Sequence, residues 1–268
     1  MADLGKVLLV GSGKMGGAML EGWLGQGLLP SDLAIIEPNA GNQPAIAGAR
    51  VVGAGNELDG FVPDVVVLAV KPQSMDEALP AVKRFAGGAT FLSIAAGKTL
   101  AYFHARLGAH AQVVRSMPNT PAAVLQGTTV AVAGAGVSDA QKTRCDRLLS
   151  AVGKVLWVED ETLMDAVTAV SGSGPAYVFL LVEVMAEAGV KAGLAPDIAM
   201  ALARGTVAGS GELLRRASEP ASALRVNVTS PGGTTAAALQ VLMAENGLQP
   251  LFDRAIAAAT RRSRELAG

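Results

Sequence analysis

Residues 7–19 read VLLVGSGKMGGAM, Val7 to Met19. A short apolar run ends at Gly11, Gly13 and Gly16 follow in a G-x-G-x-x-G spacing, and a helical pattern runs from Met15 to Gln26. A brief apolar run, a cluster of glycines and then helical periodicity spell a strand, a tight turn and a helix. In that context Gly11 permits the turn, Gly13 lets a pyrophosphate approach the backbone, and Gly16 allows close helix–strand packing. The bare spacing has many chance matches. Its position in a first strand–helix–strand unit makes it a dinucleotide-binding motif.

Outward from this stretch the same grammar repeats. DLAIIEP (32–38), ARVVG (49–53), DVVVLAV (64–70), ATFLSIA (89–95) and AQVVRSM (111–117) read as strands, and Ser74–Phe85 as a helix. Such alternation predicts a parallel α/β sheet, which TTVAVAG (128–134) and GKVLWVE (153–159) extend. Past residue 160 the β-type runs stop. Ala, Leu, Val, Met and Glu recur at helical spacing, broken at SGSGP (171–175), GLAP (193–196), SEPAS (218–222), SPGG (230–233) and NGLQP (246–250). The expected architecture is a Rossmann-type dinucleotide-binding domain over residues 1–160, then an all-α domain over residues 161–268. That helical half has little charge to clothe it, so it is expected to pack on a second copy of itself.

Composition narrows the function. Half of the residues are apolar, 17% are charged, and the net charge is −1. This gives no reason to expect nucleic acid or an anionic membrane as partner. One cysteine, Cys145, excludes an internal disulfide framework, and two histidines, His104 and His110, leave no histidine-rich metal site. The amino-terminal apolar run is too short for a signal peptide. The longest apolar stretch, Ala166–Val190, contains Glu183, Glu187 and the break GSGP, and reads as a buried helix rather than a membrane span. A soluble cytoplasmic protein is expected.

Two positions at the nucleotide end carry open readings. Glu37, closing the second strand, either accepts hydrogen bonds from an adenosine ribose or is an exposed turn residue before Pro38. Lys71 either faces a ligand at the sheet's carboxyl edge or is solvated, with Pro72 as a good first helical residue.

The helical half lacks a proton donor for carbonyl chemistry. It has no histidine, only Lys154 at its border and Lys191, and Tyr177 as its one tyrosine. Related enzymes that oxidise hydroxy acids place a lysine one turn after the glycine-rich SGSGP segment, where this chain has Val178. A protonated cyclic imine brings its own proton, so the missing acid points to C=N rather than C=O reduction. Ser, Thr or water remain as proton relays.

The stretch Asn227–Gly247, NVTSPGGTTAAALQVLMAENG, sets glycines, a proline and threonines just before a helix. A helix starting near Gly233 offers unpaired N–H groups and a positive dipole end, a seat for a small carboxylate. The plain alternative is an ordinary helix capped by Thr or Ser.

Taken in order, GSGKMGGAM, AVKPQ, SIAAG, RSMPNTP, SGSGPAYVF and NVTSPGGTT resemble the pyrroline-5-carboxylate reductases over nearly the whole chain. The resemblance implies a Rossmann domain, a helical domain interlocked with that of its partner, often a ring of dimers, and reduction of 1-pyrroline-5-carboxylate to proline by NADPH or NADH. It implies cofactor contacts at Gly11, Ser12, Gly13, Lys14, Met15 and Gly16, at Asn56, along Ala69, Val70, Lys71 and Pro72, and at Ala95, Ala96 and Gly97. Met117, Pro118 and Asn119 would shape the pocket beside the nicotinamide. Ser230, Gly233, Thr234 and Thr235 would hold the substrate carboxylate, the Thr235 hydroxyl orienting the ring nitrogen. SGSGP either lines the site or lets helices cross closely, with Ser171 or Ser173 capping the helix that begins near Pro175. Two departures stand out. Members of the family usually favour NADPH and often carry a small polar residue where Glu37 stands, so a Glu37 facing the ribose makes NADH more competitive. The segment Ala217–Asn227 looks one residue longer than the family pattern, which leaves open whether Glu219 contacts the substrate. A reductase of another cyclic imine, or a non-catalytic nucleotide-binding dimer, are the alternative readings.

Overall fold

The computed structural model describes residues 4–267. By compactness the chain divides into two units, one running up to Gly172 and resuming at Ala259, the other spanning Ser173–Ala258.

The first unit is a doubly wound sheet. Strand β1 (Val7–Val10) leads through the glycine turn into helix α1 (Lys14–Gly25), followed by β2 (Leu33–Ile36), β3 (Arg50–Val52) and β4 (Val65–Leu68). Helix α2 (Met75–Val82), β5 (Thr90–Ser93), α3 (Leu100–Leu107) and β6 (Val113–Met117) come next. Strand β7 (Gly127–Ala133), α4 (Asp139–Ser150), β8 (Gly153–Val158) and the short α5 (Met164–Val167) complete this unit's main elements, apart from the end of the last helix. The eight strands lie in the order β3-β2-β1-β4-β5-β6-β7-β8. Strands β1 to β6 are parallel, with Val10 beside Ile36 on one side and Leu68 on the other. The expectation of an all-parallel sheet fails at one place: β7 runs antiparallel to β6, and β8 follows β7. Residues 118–126 are too few for a crossover helix, so the chain can only turn back on itself.

Strands β1, β2, β4 and β5 are buried on both faces, which is why they read as continuous apolar runs rather than alternating ones. Their side chains still point alternately to two separate cores. Val7, Leu9, Ile35 and Val67 meet Met19 and Trp23 of α1 and Cys145 and Leu148 of α4. Leu8, Val10, Ile36 and Leu68 meet Met75 and Leu79 of α2 and Phe103 and Leu107 of α3. Trp23 is fully buried, and its indole N–H is satisfied by the Leu148 carbonyl at 2.8 Å. Burial pushes the Cys145 thiol up to about 12, so it packs as a small apolar group and not as a nucleophile.

In the second unit α6 (Gly174–Lys191) packs along α7 (Pro196–Arg216), with Ala199 against Gly189. Helices α8 (Ala221–Asn227), α9 (Thr234–Leu242) and most of α10 (Leu248–Ala267) follow. Only small side chains such as Ala186, Ala199 and Ala203 are buried here, while Phe179, Leu180, Val184 and Leu202 are more than half exposed. A helical region of this composition without a core of its own is half of an interface.

The candidate active site

The carboxyl ends of β1 and β4 adjoin where the strand order reverses, the position at which open α/β sheets bind ligands. The three glycines there differ in what surrounds them. Gly11 has φ +91°, and its N–H donates to the Ile36 carbonyl at 2.9 Å. A Cβ on Gly11 would come within 2.9 Å of Val70 Cγ1, and one on Gly16 would overlap the Gly11 carbonyl oxygen. Gly13, at the N-cap of α1, has no atom near the position of a Cβ and no side chain caps the helix. Turn and packing consume two of the glycines, and the third leaves open space at a helix N-terminus, where backbone N–H groups could meet a phosphate. Ser12, Gly13 and Lys14 line a cavity of about 350 Å³ there, together with Gly17, Glu21 and Asn42. Met15 is half-buried on the first turn of α1 and packs against the core.

A second cavity of about 210 Å³ lies beyond the end of β2, lined by Val10, Ile36, Pro38, Gly53–Gly55, Val70, Glu77, Ala78 and Ala81. Apart from Val70, none of these residues carries a motif that names it. Their common feature is position, at the carboxyl ends of β1 to β4 and on the facing side of α2. Its lining is mostly apolar, which suits an aromatic base. Asn56 sits on the 3-10 turn Gly55–Glu57 beside it and is exposed, outside the lining. Of its neighbours on the β4 loop, Ala69 bonds through its N–H to the Val10 carbonyl at 2.8 Å, and Pro72 opens a 3-10 turn with Lys71 exposed before it.

Glu37 is not an exposed turn residue. It is 7% accessible, one carboxylate oxygen accepts from the Ser12 N–H at 2.9 Å, and the other from the Asn39 N–H at 3.0 Å. Its neighbours Ile36 and Pro38 line one cavity and its partner Ser12 lines the other.

Further along the same edge, Ala95 and Gly97 are buried and Ala96 is half-buried, with Gly97 at φ +73°. Arg115, on β6, holds this region. Its buried guanidinium donates to Glu161 at 2.8 Å, and the same carboxylate oxygen accepts the Leu100 N–H at the start of α3. Nothing in the local sequence announces this pair, because the two residues lie far apart in the chain. Met117 packs on Gly172, where a Cβ would lie 2.5 Å from the Met117 methyl carbon. Pro118 is buried beside it. Asn119 accepts the Thr128 N–H at 2.8 Å and donates from its amide to Ser171 at 3.3 Å, so it braces this loop from both sides. Capping by Ser171 or Ser173 does not occur. Ser171 lies in a π-helical turn, Thr168–Gly172, and Ser173 stands at the N-cap of α6 without a side-chain hydrogen bond.

In the second unit the start of α9 follows Gly232, whose φ of +67° suits glycine. The cap residue is Gly233, and no Thr or Ser side chain caps the helix. The Gly233 N–H itself is used, donating to the Ser230 carbonyl at 3.1 Å. Of the backbone N–H groups expected around Gly233 and Thr234, that of Gly233 is thus already engaged. The N–H groups of Thr234, Thr235 and Ala236 head the helix, where no preceding helical carbonyl can accept from them. Thr235 is half-buried, whereas Ser230 and Thr234 are exposed.

Residues 6–97 match a family model described as NADP oxidoreductase, coenzyme F420-dependent, and residues 161–266 match one described as pyrroline-5-carboxylate reductase dimerisation. Fold and site together define an NAD(P)H-dependent oxidoreductase with a Rossmann-type domain and a helical dimerisation region. The chain belongs to the pyrroline-5-carboxylate reductase family: it is 42% identical to the enzyme of that name from Pseudomonas aeruginosa, across 98% of this chain and 97% of the relative. Among solved structures, a pyrroline-5-carboxylate reductase from Coxiella burnetii superposes with a TM-score of 0.92 at 32% identity, covering 99% of both chains. The Plasmodium falciparum pyrroline carboxylate reductase, solved with NADP bound, gives 0.81 at 28% identity over 98% of each chain. The apolar helices of the second unit are thus the dimerisation surface of a homodimer.

Proposed function

We propose that this chain reduces 1-pyrroline-5-carboxylate to L-proline, the last step of proline biosynthesis. The observation that carries the reading is the start of α9, where Gly233 replaces a side-chain cap and the amides of the first turn are left for an anion. A bound NADH or NADPH supplies the hydride for the C=N carbon. The imine nitrogen gains the electron pair of the broken π bond and keeps the proton it already carries, so no side-chain acid is required.

Each residue then has a restricted task. Residues 1–160 hold the dinucleotide: Gly11, Gly13 and Gly16 shape the phosphate seat, with Ser12, Lys14 and Met15 on its rim. Asn56, Ala69–Pro72 and Ala95–Gly97 line the remaining course of the cofactor, and Met117, Pro118 and Asn119 the nicotinamide end. Residues 161–268 supply the dimer and the substrate seat. Ser230, Gly233 and Thr234 form it, the amides of Thr234 and Thr235 take the carboxylate, and the Thr235 hydroxyl orients the ring. Acceleration comes chiefly from holding the ring at near-attack distance. The segment Glu161–Lys191 is long and apolar enough to cross a membrane by length and composition. A second copy covers it instead, since Glu183 and Glu187 would face lipid on a spanning helix. A cytoplasmic protein without nucleic-acid or membrane partners, arranged as a dimer or a ring of dimers, fits this reading.

The test is the initial rate of NADH and NADPH oxidation with 1-pyrroline-5-carboxylate, beside a six-membered imine and an uncharged imine. Turnover confined to the carboxylated five-membered ring is expected. Preference for another imine would reassign the substrate, and nucleotide binding without turnover would make the protein a sensor.

A further inference from the structure

We infer that Glu37 sets the cofactor choice of this chain, excluding a 2′-phosphorylated nucleotide so that NADH binds more tightly than NADPH. The inference rests on the dinucleotide seat proposed above and adds to it the discrimination between the two cofactors. Its basis is the way Glu37 is held. Backbone N–H groups from two different segments, Ser12 and Asn39, fix both carboxylate oxygens at 2.9 and 3.0 Å. The Ser12 hydroxyl stands 3.2 Å from Oε2 and 2.9 Å from the Asn42 carbonyl. The Gln43 amide nitrogen donates to the Glu37 carbonyl at 2.8 Å, so the following loop is tied to the same residue. A side chain that is 7% accessible and bonded on both oxygens cannot swing aside for a phosphate.

Glu37 adjoins both cavities through its neighbours without lining either. Ile36 and Pro38 line the slot for the base, and Ser12 lines the seat for the phosphates, so Glu37 stands at the ribose between them. A carboxylate there accepts from ribose hydroxyls, and it repels a 2′-phosphate unless cations compensate. Such cations are missing from the neighbouring loop. Residues 38–49 contain no lysine or arginine. Arg50, the next one along, gives its guanidinium to the Asp59 carbonyl at 2.8 Å. Lys14 lines the other cavity, with Gly13 and Gly17, where the pyrophosphate would claim its charge.

The experiment is equilibrium binding of NADH and NADPH to the full-length protein at fixed ionic strength, read by nicotinamide fluorescence and by titration calorimetry without substrate. The wild-type Kd for NADH should be lower than that for NADPH by about tenfold or more. Glu37→Ser should shrink that ratio by about tenfold or more, weakening NADH and tightening NADPH. Glu37→Gln keeps the shape and removes the charge, and serves if the serine variant does not fold. Equal binding, an NADPH preference in the wild type, or an unchanged ratio in the variants overturns the role of Glu37 while leaving the dinucleotide seat standing. Binding of neither nucleotide overturns the seat itself, and the inference with it.

Discussion

Helix α1 lies so close to the turn after β1 that a methyl group on Gly16 would overlap the carbonyl oxygen of Gly11. The obstacle is backbone, which cannot rotate out of the way as a side chain can. Gly16→Ala should therefore cost about 1–3 kcal/mol of stability and weaken nucleotide binding through the displaced helix. Gly13→Ala is the contrasting case, because its Cβ meets no protein atom and its φ of −64° suits any residue. Thermal unfolding of that variant should match wild type while nucleotide affinity falls about tenfold or more, from the methyl group in the phosphate path. A large drop in melting temperature for Gly13→Ala would show that the space is not a ligand's.

The hydroxyl of Thr235 stands on the first turn of α9, half-buried, beside amides with no helical acceptor. Thr235→Ala should lower kcat/KM for 1-pyrroline-5-carboxylate by about one to two orders of magnitude, roughly 1.4–3 kcal/mol. Thr235→Ser should recover most of that loss. Steady-state kinetics on folded variants checks it, and unchanged kinetics in Thr235→Ala would remove the hydroxyl from the site.

Arg115 and Glu161 form a pair in which the guanidinium is only 6% accessible. Glu161→Ala strands that charge and also uncaps the Leu100 N–H, so about 2–4 kcal/mol should be lost. The double variant Arg115→Met/Glu161→Ala should regain much of it, since no buried charge is left unpaired. Urea unfolding of these two, of Arg115→Met alone and of wild type completes the cycle. Independent, additive losses would mean that the two groups do not couple.

Leu180 and Val184 lie one turn apart on α6 and are 56% and 54% accessible in a single chain. Glutamate at both positions should split the homodimer, because two buried charges per chain exceed what an apolar interface tolerates. Light scattering after gel filtration should report the monomer mass at micromolar concentration. A dimer that persists would place the interface on another face of the helices.

How far the fold was legible follows from the kind of signal each element carries. Continuous runs such as Val65–Leu68 and Val7–Val10 announced buried strands because both of their faces meet helices. The glycine spacing announced the turn, since a backbone at φ +91° excludes most other residues at Gly11. The antiparallel course of β7 is not written in the strand itself, whose seven residues can pair in either direction, but only in the shortness of residues 118–126 before it. The slot formed by Pro38, Gly53–Gly55, Ala78 and Ala81 was equally silent, as small residues acquire meaning only from the strands and helix that bring them together.

At the start of α9 the sequence placed the helix but not its bonding. Ser, Thr and Gly are all acceptable caps, and only the backbone path shows Gly233 in that role with its own N–H turned to Ser230. Glu37 behaves alike. Its spacing from the glycine turn marked a ribose ligand, yet an exposed residue before Pro38 would have had the same neighbours. Local patterns determined strands, helices, turns and the class of chemistry, because each depends on the periodicity and conformational limits of adjacent residues. Which buried groups meet was decided by the tertiary structure: Glu37 with Ser12, Arg115 with Glu161, Met117 with Gly172. Those partners are separated in the chain, and only the winding of the sheet carries them to one edge.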